Sequence, residues 1–322
     1  MQNDTENPCG YCKNKDSAVL YPTYDIFGKN YHINQCQNCN AYFLSPHPSP
    51  EELARAYDTS YYGVGEEKFN EGWIEKMLDY FRGKRADIIK NHLGEKGKVL
   101  DIGCGNGRFL SFVKDRGNFE IFGIEPEGGS AKRAADIKGI NLKIGFLEEN
   151  DFESESLNAI TLFHVFEHLT EPKATLEIIQ KILKRGGILV MSFPNIGSWQ
   201  AQIFKGKWFH MDPPRHLFFF ATKDFKQLMT ELGFELIREK HFSIEYNPYG
   251  TQQSILNMFH KKREALYELL KGNKEYVKEY SKFNLFMQQL FFKLTGPIFI
   301  VLDAIESTFK KGGTVEFAFR KK

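Results

Sequence analysis

The chain has 322 residues, room for one large α/β domain with smaller attachments, and its 42% apolar content is ample for a core. Its 43 Lys and Arg against 41 Asp and Glu leave a net charge of only +2, which excludes the broad basic surplus of a general nucleic-acid binder. The polar start Met1–Pro8 lacks the basic and apolar segments of a signal peptide, and no stretch reads as an ordinary membrane-spanning helix, so the composition points to a cytoplasmic protein.

In a reducing compartment, spaced cysteines indicate a metal rather than disulfides. Cys9-Gly-Tyr-Cys12 and Cys36-Gln-Asn-Cys39 are two CxxC knuckles flanking a strand-rich stretch, Val19–Ile33. Two residues between thiols let both sulfurs reach one ion, and two such turns complete a closed tetrahedral Zn2+ site of structural type. Gly10 and Asn38 or Asn40 are the expected permissive turn positions. The prolines at 46, 48 and 50 then form an extended connector, and Ser49 and Pro50 start a short helix running through Tyr57. Tyr57, Tyr61 and Tyr62 follow, to pack the module against the next domain or to lid a ligand pocket.

Apolar residues at helical spacing from Trp73 to Leu93 predict a helix stopped by Gly94 and Gly97. A buried strand then runs into Asp101-Ile-Gly103-Cys-Gly105-Asn-Gly107 and a helix over Phe109–Lys114. The glycines let backbone approach a ligand beside a helix start. The nicotinamide-cofactor fingerprint would need a third glycine where Arg108 stands. A second strand, Glu120–Ile124, ends in Glu125, where a carboxylate can accept both hydroxyls of a ribose; a third, Asn141–Leu147, carries Phe146 and Leu147, with Glu148 following. Strand Leu157–Phe163 leads into His164-Val-Phe-Glu167-His168, a helix over Pro172–Leu183 follows, and Gly186-Gly187 turns into strand Ile188–Phe193 and Pro194-Asn195. Alternating strands and helices predict a parallel sheet with ligands beyond its carboxyl edge, toward which His164 and Pro194-Asn195 both point. HxxEH also matches an inverted zinc-protease pattern, but that requires a long helix, whereas His164 closes a strand.

The alternate glycines behind Asp101 resemble the glycine motif of class I methyltransferases, which bind S-adenosylmethionine there. By that resemblance Asp101, Gly103, Gly105 and Gly107 hold the amino-acid end of the cofactor, Glu125 its ribose, and Phe146 and Leu147 its adenine, while His164 lies near its reactive end. Cys104 is then a small filler. A Glu-His pair occupies the turn of Glu167 and His168 in similar enzymes that O-methylate quinone precursors, which implies that His164, Glu167 or His168 lines the acceptor pocket. The alternative is that Glu167 and His168 cap the next helix or pair with each other. The knuckles and connector (Leu44, Pro46, Pro48, Glu51, Glu52, Leu53, Tyr61, Tyr62) resemble those of bacterial sugar C-methyltransferases and surface-polysaccharide enzymes. Those sugar enzymes carry a further large C-terminal domain after the Rossmann unit, where this sequence is expected to place the helical insertion and its last strand.

Trp208–Phe220 clusters polar and aromatic groups ahead of a helix over Lys223–Leu232, with Thr222 as its cap. His216 is the best base there, with His210 second; Arg215 is either an anion clamp or a structural partner of Asp212. Strand Phe234–Phe242 should pair with the last strand, Thr314–Arg320, across an apolar insertion. Within it, 285–305 reads as two helical pieces broken at Gly296-Pro297, for membrane-surface contact at an inner membrane face, a buried cap or a dimer face. The expected fold is α/β: a Rossmann-like seven-stranded, mostly parallel sheet with an antiparallel last strand. The expected divisions are a zinc-ribbon-like module at 1–48, leading helices at 49–93, the methyltransferase domain at 94–242 and 312–322, and a hydrophobic helical insertion at 243–311. The expected activity is methyl transfer from S-adenosylmethionine to a small-molecule, glycan or lipid-linked acceptor, with catalytic candidates His164, His168 and His216. A zinc-bearing rRNA methyltransferase and a non-catalytic cofactor-binding scaffold are the alternatives.

Overall fold

Strands rich in Val, Ile and Leu with both faces buried must lie in the middle of a parallel sheet. In the computed structural model, which describes residues 7–57 and 72–322, such runs form the centre of the larger sheet. The chain divides into two compact units. One comprises the described part of Met1–Asn70 with Pro194–Phe225 and Lys240–Val315; the other comprises Glu71–Phe193, Lys226–Glu239 and Glu316–Lys322. Tyr61 and Tyr62 lie outside the described residues.

The first unit begins with strands β1 (Ser17–Tyr24), β2 (Asn30–Cys36) and β3 (Tyr42–Ser45), followed by helix α1 (Pro50–Ala56). Ser49 caps α1 in a reciprocal capping box with Glu52, so the SPEE segment starts a helix in spite of its short length. The strands pair antiparallel, and the two-residue strand β9 (Phe218–Phe219) completes a four-stranded sheet in the order β1-β2-β3-β9. Tyr31, Ile33, Leu44, Trp208, Met211 and Phe219 form its core.

In the second unit helix α2 (Gly72–Leu93) precedes β4 (Lys96–Ile102), α3 (Arg108–Lys114), β5 (Asn118–Glu125), α4 (Gly129–Ala135), β6 (Ile140–Ile144), β7 (Leu157–Phe163), α5 (Pro172–Ile182) and β8 (Leu183–Pro194). After α6 (Trp199–Phe204), which belongs to the first unit, the chain passes through α7 (Thr222–Glu231) to β10 (Phe234–Lys240), and ends in β11 (Thr314–Lys321). The sheet order is β10-β11-β8-β7-β4-β5-β6, with β4 parallel to both β5 and β7 and the last strand antiparallel. The order reverses beside β4, which places a crevice at the carboxyl ends of β4 and its neighbours. Val99, Ile121, Ala159 and Val190 are fully buried and anchor the core beneath that edge. Burial of the Val99, Ile121 and Val190 side chains contributes about 1.5–3 kcal/mol each.

Between β10 and β11 the first unit holds α8 (Asn247–Phe259), α9 (Ala265–Leu270), α10 (Lys274–Val277) and α11 (Lys282–Thr308). The break expected at Gly296-Pro297 is absent: α11 is one helix of 27 residues with Pro297 inside it. Proline removes one backbone donor there, but the preceding turns are braced from outside. Gln252 Nε2 donates to the Phe292 carbonyl and to Thr295 Oγ1, both at 2.8 Å, and Thr295 Oγ1 donates to the Phe291 carbonyl at 2.7 Å. The composition reading that no stretch suits a membrane-spanning helix is corrected by the same element. By length and hydropathy α11 passes that test, because Gln288, Asp303 and Pro297 are too few to lower its average.

Candidate functional site

The four knuckle cysteines converge in the first unit. Cys9 Sγ lies 3.6 Å from Cys39 Sγ and Cys12 Sγ 3.5 Å from Cys36 Sγ, with all four sulfurs within 4.8 Å of one another. The knuckles share a geometry: the Lys13 amide donates to the Cys9 carbonyl and the Asn40 amide to the Cys36 carbonyl, at 2.9 and 3.1 Å. The left-handed residues are Lys13 (φ 60°) and Asn40 (φ 57°), each directly after its second cysteine, and not Gly10. A tetrahedral zinc with Zn–S near 2.3 Å requires sulfurs about 3.8 Å apart. The Cys9–Cys39 and Cys12–Cys36 separations are within a few tenths of an ångström of that value, and the remaining pairs lie within 4.8 Å.

In the second unit, Asp101 sits near the end of β4, 3% exposed, and accepts a 2.6 Å hydrogen bond from Thr161 Oγ1. Burial pushes its carboxyl up to about 7, against the lowering effect of Thr161. After β4 the chain turns through Gly103, Gly105 and Gly107, all left-handed (φ 70°, 58° and 71°). At Gly103 the glycine is also a space requirement, since a Cβ would lie 2.4 Å from Val165 Cγ2. A Cβ on Gly105, by contrast, would meet nothing within 4 Å, so this part of the turn borders open space. Glu125, at the end of β5, accepts from the Gly105 amide at 2.9 Å, and burial raises its carboxyl above the usual range. The two acidic strand ends and the three glycines therefore meet around one turn. Arg108 points elsewhere, pairing with Asp79 of α2.

β6 ends at Ile144, three residues short of the expected strand, because Gly145 takes a positive φ and its amide turns back to the Glu125 carbonyl. Phe146 and Leu147 consequently lie on the loop beside the β5 end, and the Phe146 ring is 70% exposed. Glu148 is tied to Lys143 at 2.8 Å. His164 leaves β7 with φ 55°, a costly conformation for a residue with a Cβ, and its Nδ1 lies 3.4 Å from Glu167 Oε1. Phe166–His168 is a 3-10 turn, and Glu171 stands at the N-cap of α5, so neither Glu167 nor His168 occupies the cap. The expectation that Asn195 points at a ligand is corrected: its Nδ2 donates to the Gly312 carbonyl and its Oδ1 accepts from the Gly197 amide, which spends the side chain on backbone.

His216 belongs to the first unit. Its ring Nδ1 faces the His210 carbonyl at 2.7 Å, so that nitrogen carries the proton in the neutral ring, and Nε2 is the basic atom, 3.7 Å from Asp212 Oδ2. Asp212 also pairs with Arg215, which makes the pair part of the local structure. His210 is buried against Trp208 and Phe209, and Gly250 leaves it room. Two further residues escape a reading by sequence alone. Thr161 sits mid-strand without any motif, and only its partner Asp101 signals it. Glu264, in a charged run that reads as surface, is 1% exposed, and burial with Asp212 nearby pushes it up to about 7.

An acidic strand end, a left-handed glycine turn and a second acidic strand end, on a sheet of this order, define a class I S-adenosylmethionine-dependent methyltransferase. The profile of the methyltransferase-domain family matches residues 73–239, and the chain belongs to that family. Among relatives, an uncharacterised protein of Methanocaldococcus jannaschii is 28% identical over 166 residues, 52% of this chain and 77% of its own. A ubiquinone biosynthesis O-methyltransferase of Idiomarina loihiensis is 31% identical over 134 residues, 38% of this chain and 55% of its own. The chain thus spans about half the length of that enzyme. A solved structure described as a sarcosine dimethylglycine methyltransferase from Galdieria sulphuraria is 15% identical with a TM-score of 0.48, covering 81% of this chain and 92% of its own.

Proposed function

We propose that the protein transfers a methyl group from S-adenosylmethionine to a small-molecule, glycan or lipid-linked acceptor. The observation that carries the cofactor site is the buried Asp101 carboxylate set before a glycine turn whose Gly105 amide meets Glu125. When bound, S-adenosylmethionine supplies an electrophilic methyl group on a sulfonium. Asp101 faces the cationic amino-acid end, and a buried anion attracts it strongly. Glu125 accepts the ribose hydroxyls, and Gly103, Gly105 and Gly107 let backbone come close. Phe146 and Leu147 flank the adenine.

The protein's main contribution to rate is alignment of donor and acceptor, with water kept out. A base is required where the acceptor loses a proton in the same step. His164 is the first candidate. Glu167 beside Nδ1 orients the ring and leaves Nε2 to take the proton. His168 and His216 are the other candidates, His216 through its Nε2. Cys9, Cys12, Cys36 and Cys39 hold a structural Zn2+, which their spacing fits.

Calorimetric titration of zinc-loaded protein with S-adenosylhomocysteine tests the reading, with Asp101→Ala and Glu125→Ala alongside. Tight binding lost in both variants supports it. Transfer of labelled methyl to free glycans, lipid-linked glycans, small phenols or RNA then assigns the acceptor. A well-folded protein that ignores the cofactor would sink the proposal.

A further inference from the structure

Helix α11 has the polarity of a soluble helix turned inside out. Its polar residues face the rest of the first unit. Asp303 accepts from Asn247 Nδ2 at 2.7 Å and from the Ser243 amide at 3.0 Å, and Glu306 accepts from Gln200 Nε2 at 3.0 Å. Gln288 is buried as well. Its large apolar residues face solvent: Phe283, Phe286, Leu294, Ile298, Val301 and Ile305 follow one another at three-, four- and eight-residue steps along one stripe. Phe283 is 73% exposed and Leu294 67%. Within the 27-residue helix the stripe runs for about 33 Å. A continuous apolar surface of that extent marks an interaction site.

The charges decide the occupant. Every exposed charged residue between 282 and 310 is a lysine: Lys282, Lys293 and Lys310. Lys282 and Lys293 stand eleven residues apart, about three turns, and so border the stripe along the same edge. Lysines there can lay their stems on the apolar face while their ammonium groups reach headgroup phosphates. An antiparallel two-fold pairing of two such stripes would instead bring like-charged edges together. The helix is also held along its inner face by Gln252, Asn247 and Gln200, contacts that a helix crossing a bilayer would lose. We propose that the outer face of α11 docks lengthwise on the surface of an anionic lipid bilayer, its stripe sunk among the headgroups. Delivery of a lipid-linked methyl acceptor from that surface rests on the methyl-transfer reading; vesicle binding is measured without it.

The test is co-sedimentation of the full chain with phosphatidylcholine vesicles, with and without phosphatidylglycerol. A Phe286→Gln/Leu294→Gln/Ile298→Gln protein and a Lys282→Gln/Lys293→Gln protein run beside it. Thermal unfolding confirms that these exposed changes leave the fold intact. Binding to the anionic vesicles is expected, reduced at least about tenfold by the apolar triple substitution. It should weaken in the lysine variant and when ionic strength rises from about 0.1 M to about 0.5 M. Absence of binding to either vesicle overturns the proposal, as does equal binding by the triple variant. A dimer seen by light scattering that the triple variant abolishes, without vesicle binding, would assign the face to a second copy instead.

Discussion

Asp101→Asn should make the cofactor-free protein more stable at alkaline pH while removing its cofactor affinity. The carboxyl is 3% exposed and its proton is held up to about 7 by burial, against an ordinary value of 3.8. Below 3.8 both folded and unfolded chains carry the proton, and Asp101 makes stability independent of pH. Between 3.8 and about 7 the unfolded chain has lost the proton and the folded chain keeps it, so stability falls as pH rises. Above about 7 both are ionised and the cost stays constant. One unit is about 1.4 kcal/mol, so from pH 5 to pH 8 the wild type should lose about 3 kcal/mol through this group. Asparagine has no such titration and still accepts from Thr161 Oγ1. Glu264 and Glu306, whose carboxyls are also pushed up to about 7, are common to both proteins and cancel in the comparison. Urea unfolding of both proteins at pH 5, 6, 7 and 8 (about one unit apart across the window) measures the difference directly. Equal gaps between the two proteins at every pH would refute the argument that Asp101 is held in a dry site awaiting a cationic partner.

Three further outcomes are expected. Arg263→Met should cost at least about 3 kcal/mol in urea unfolding, because the fully buried guanidinium donates to Thr23 Oγ1 and to the carbonyls of Tyr24, Gly206 and Trp208. A stability unchanged within error would show that these bonds form equally well to water. A strong chelator should release one zinc per chain, read with a chromogenic zinc dye, and lower the unfolding midpoint; the same midpoint with and without metal counts against a structural ion. His164→Ala should keep wild-type S-adenosylhomocysteine affinity and lose about a hundredfold in turnover on an acceptor that must be deprotonated; full turnover would remove it as the base.

The parallel sheet was legible because its strands obey rules that act locally. Ile121–Ile124, Ile188–Met191 and, apart from Asp101, Asn158 and Thr161, Val99–Ile102 and Leu157–Phe163 are apolar runs that only a strand covered on both faces can bury. The knuckles were legible for the same reason, since two-residue spacing fixes the reach of both sulfurs. Of the left-handed positions beside them, Asn40 was one of the turn residues expected and Lys13 was not. A left-handed residue after each second cysteine follows from the turn's own hydrogen bond, which composition does not specify. Thr161 and Glu264 were invisible because their roles come from neighbours about 60 and 50 positions away in the chain (Asp101 and Asp212), beyond any local pattern.

Helix α11 was misread for a different reason. Interruption by Gln288, Gln289, Lys293 and Asp303 argues against a membrane helix when polar residues are counted, and Gly296-Pro297 argues for a break. Counting leaves out direction. Gln288 and Asp303 lie on the buried face, where Asp303 accepts from Asn247 and Gln288 donates to Asn284 of the same helix, so they take nothing from the apolarity of the opposite face. The proline falls where Gln252 and Thr295 brace the turns before it, so the missing amide does not end the helix. A periodicity analysis that asks which face the polar residues occupy, rather than how many there are, recovers the stripe from the sequence: 283, 286, 294, 298, 301 and 305 stay within one side of a 3.6-residue helix. The same polar residues that argue against a lipid-facing helix by their number become the reason it can face lipid while remaining fixed to its own fold.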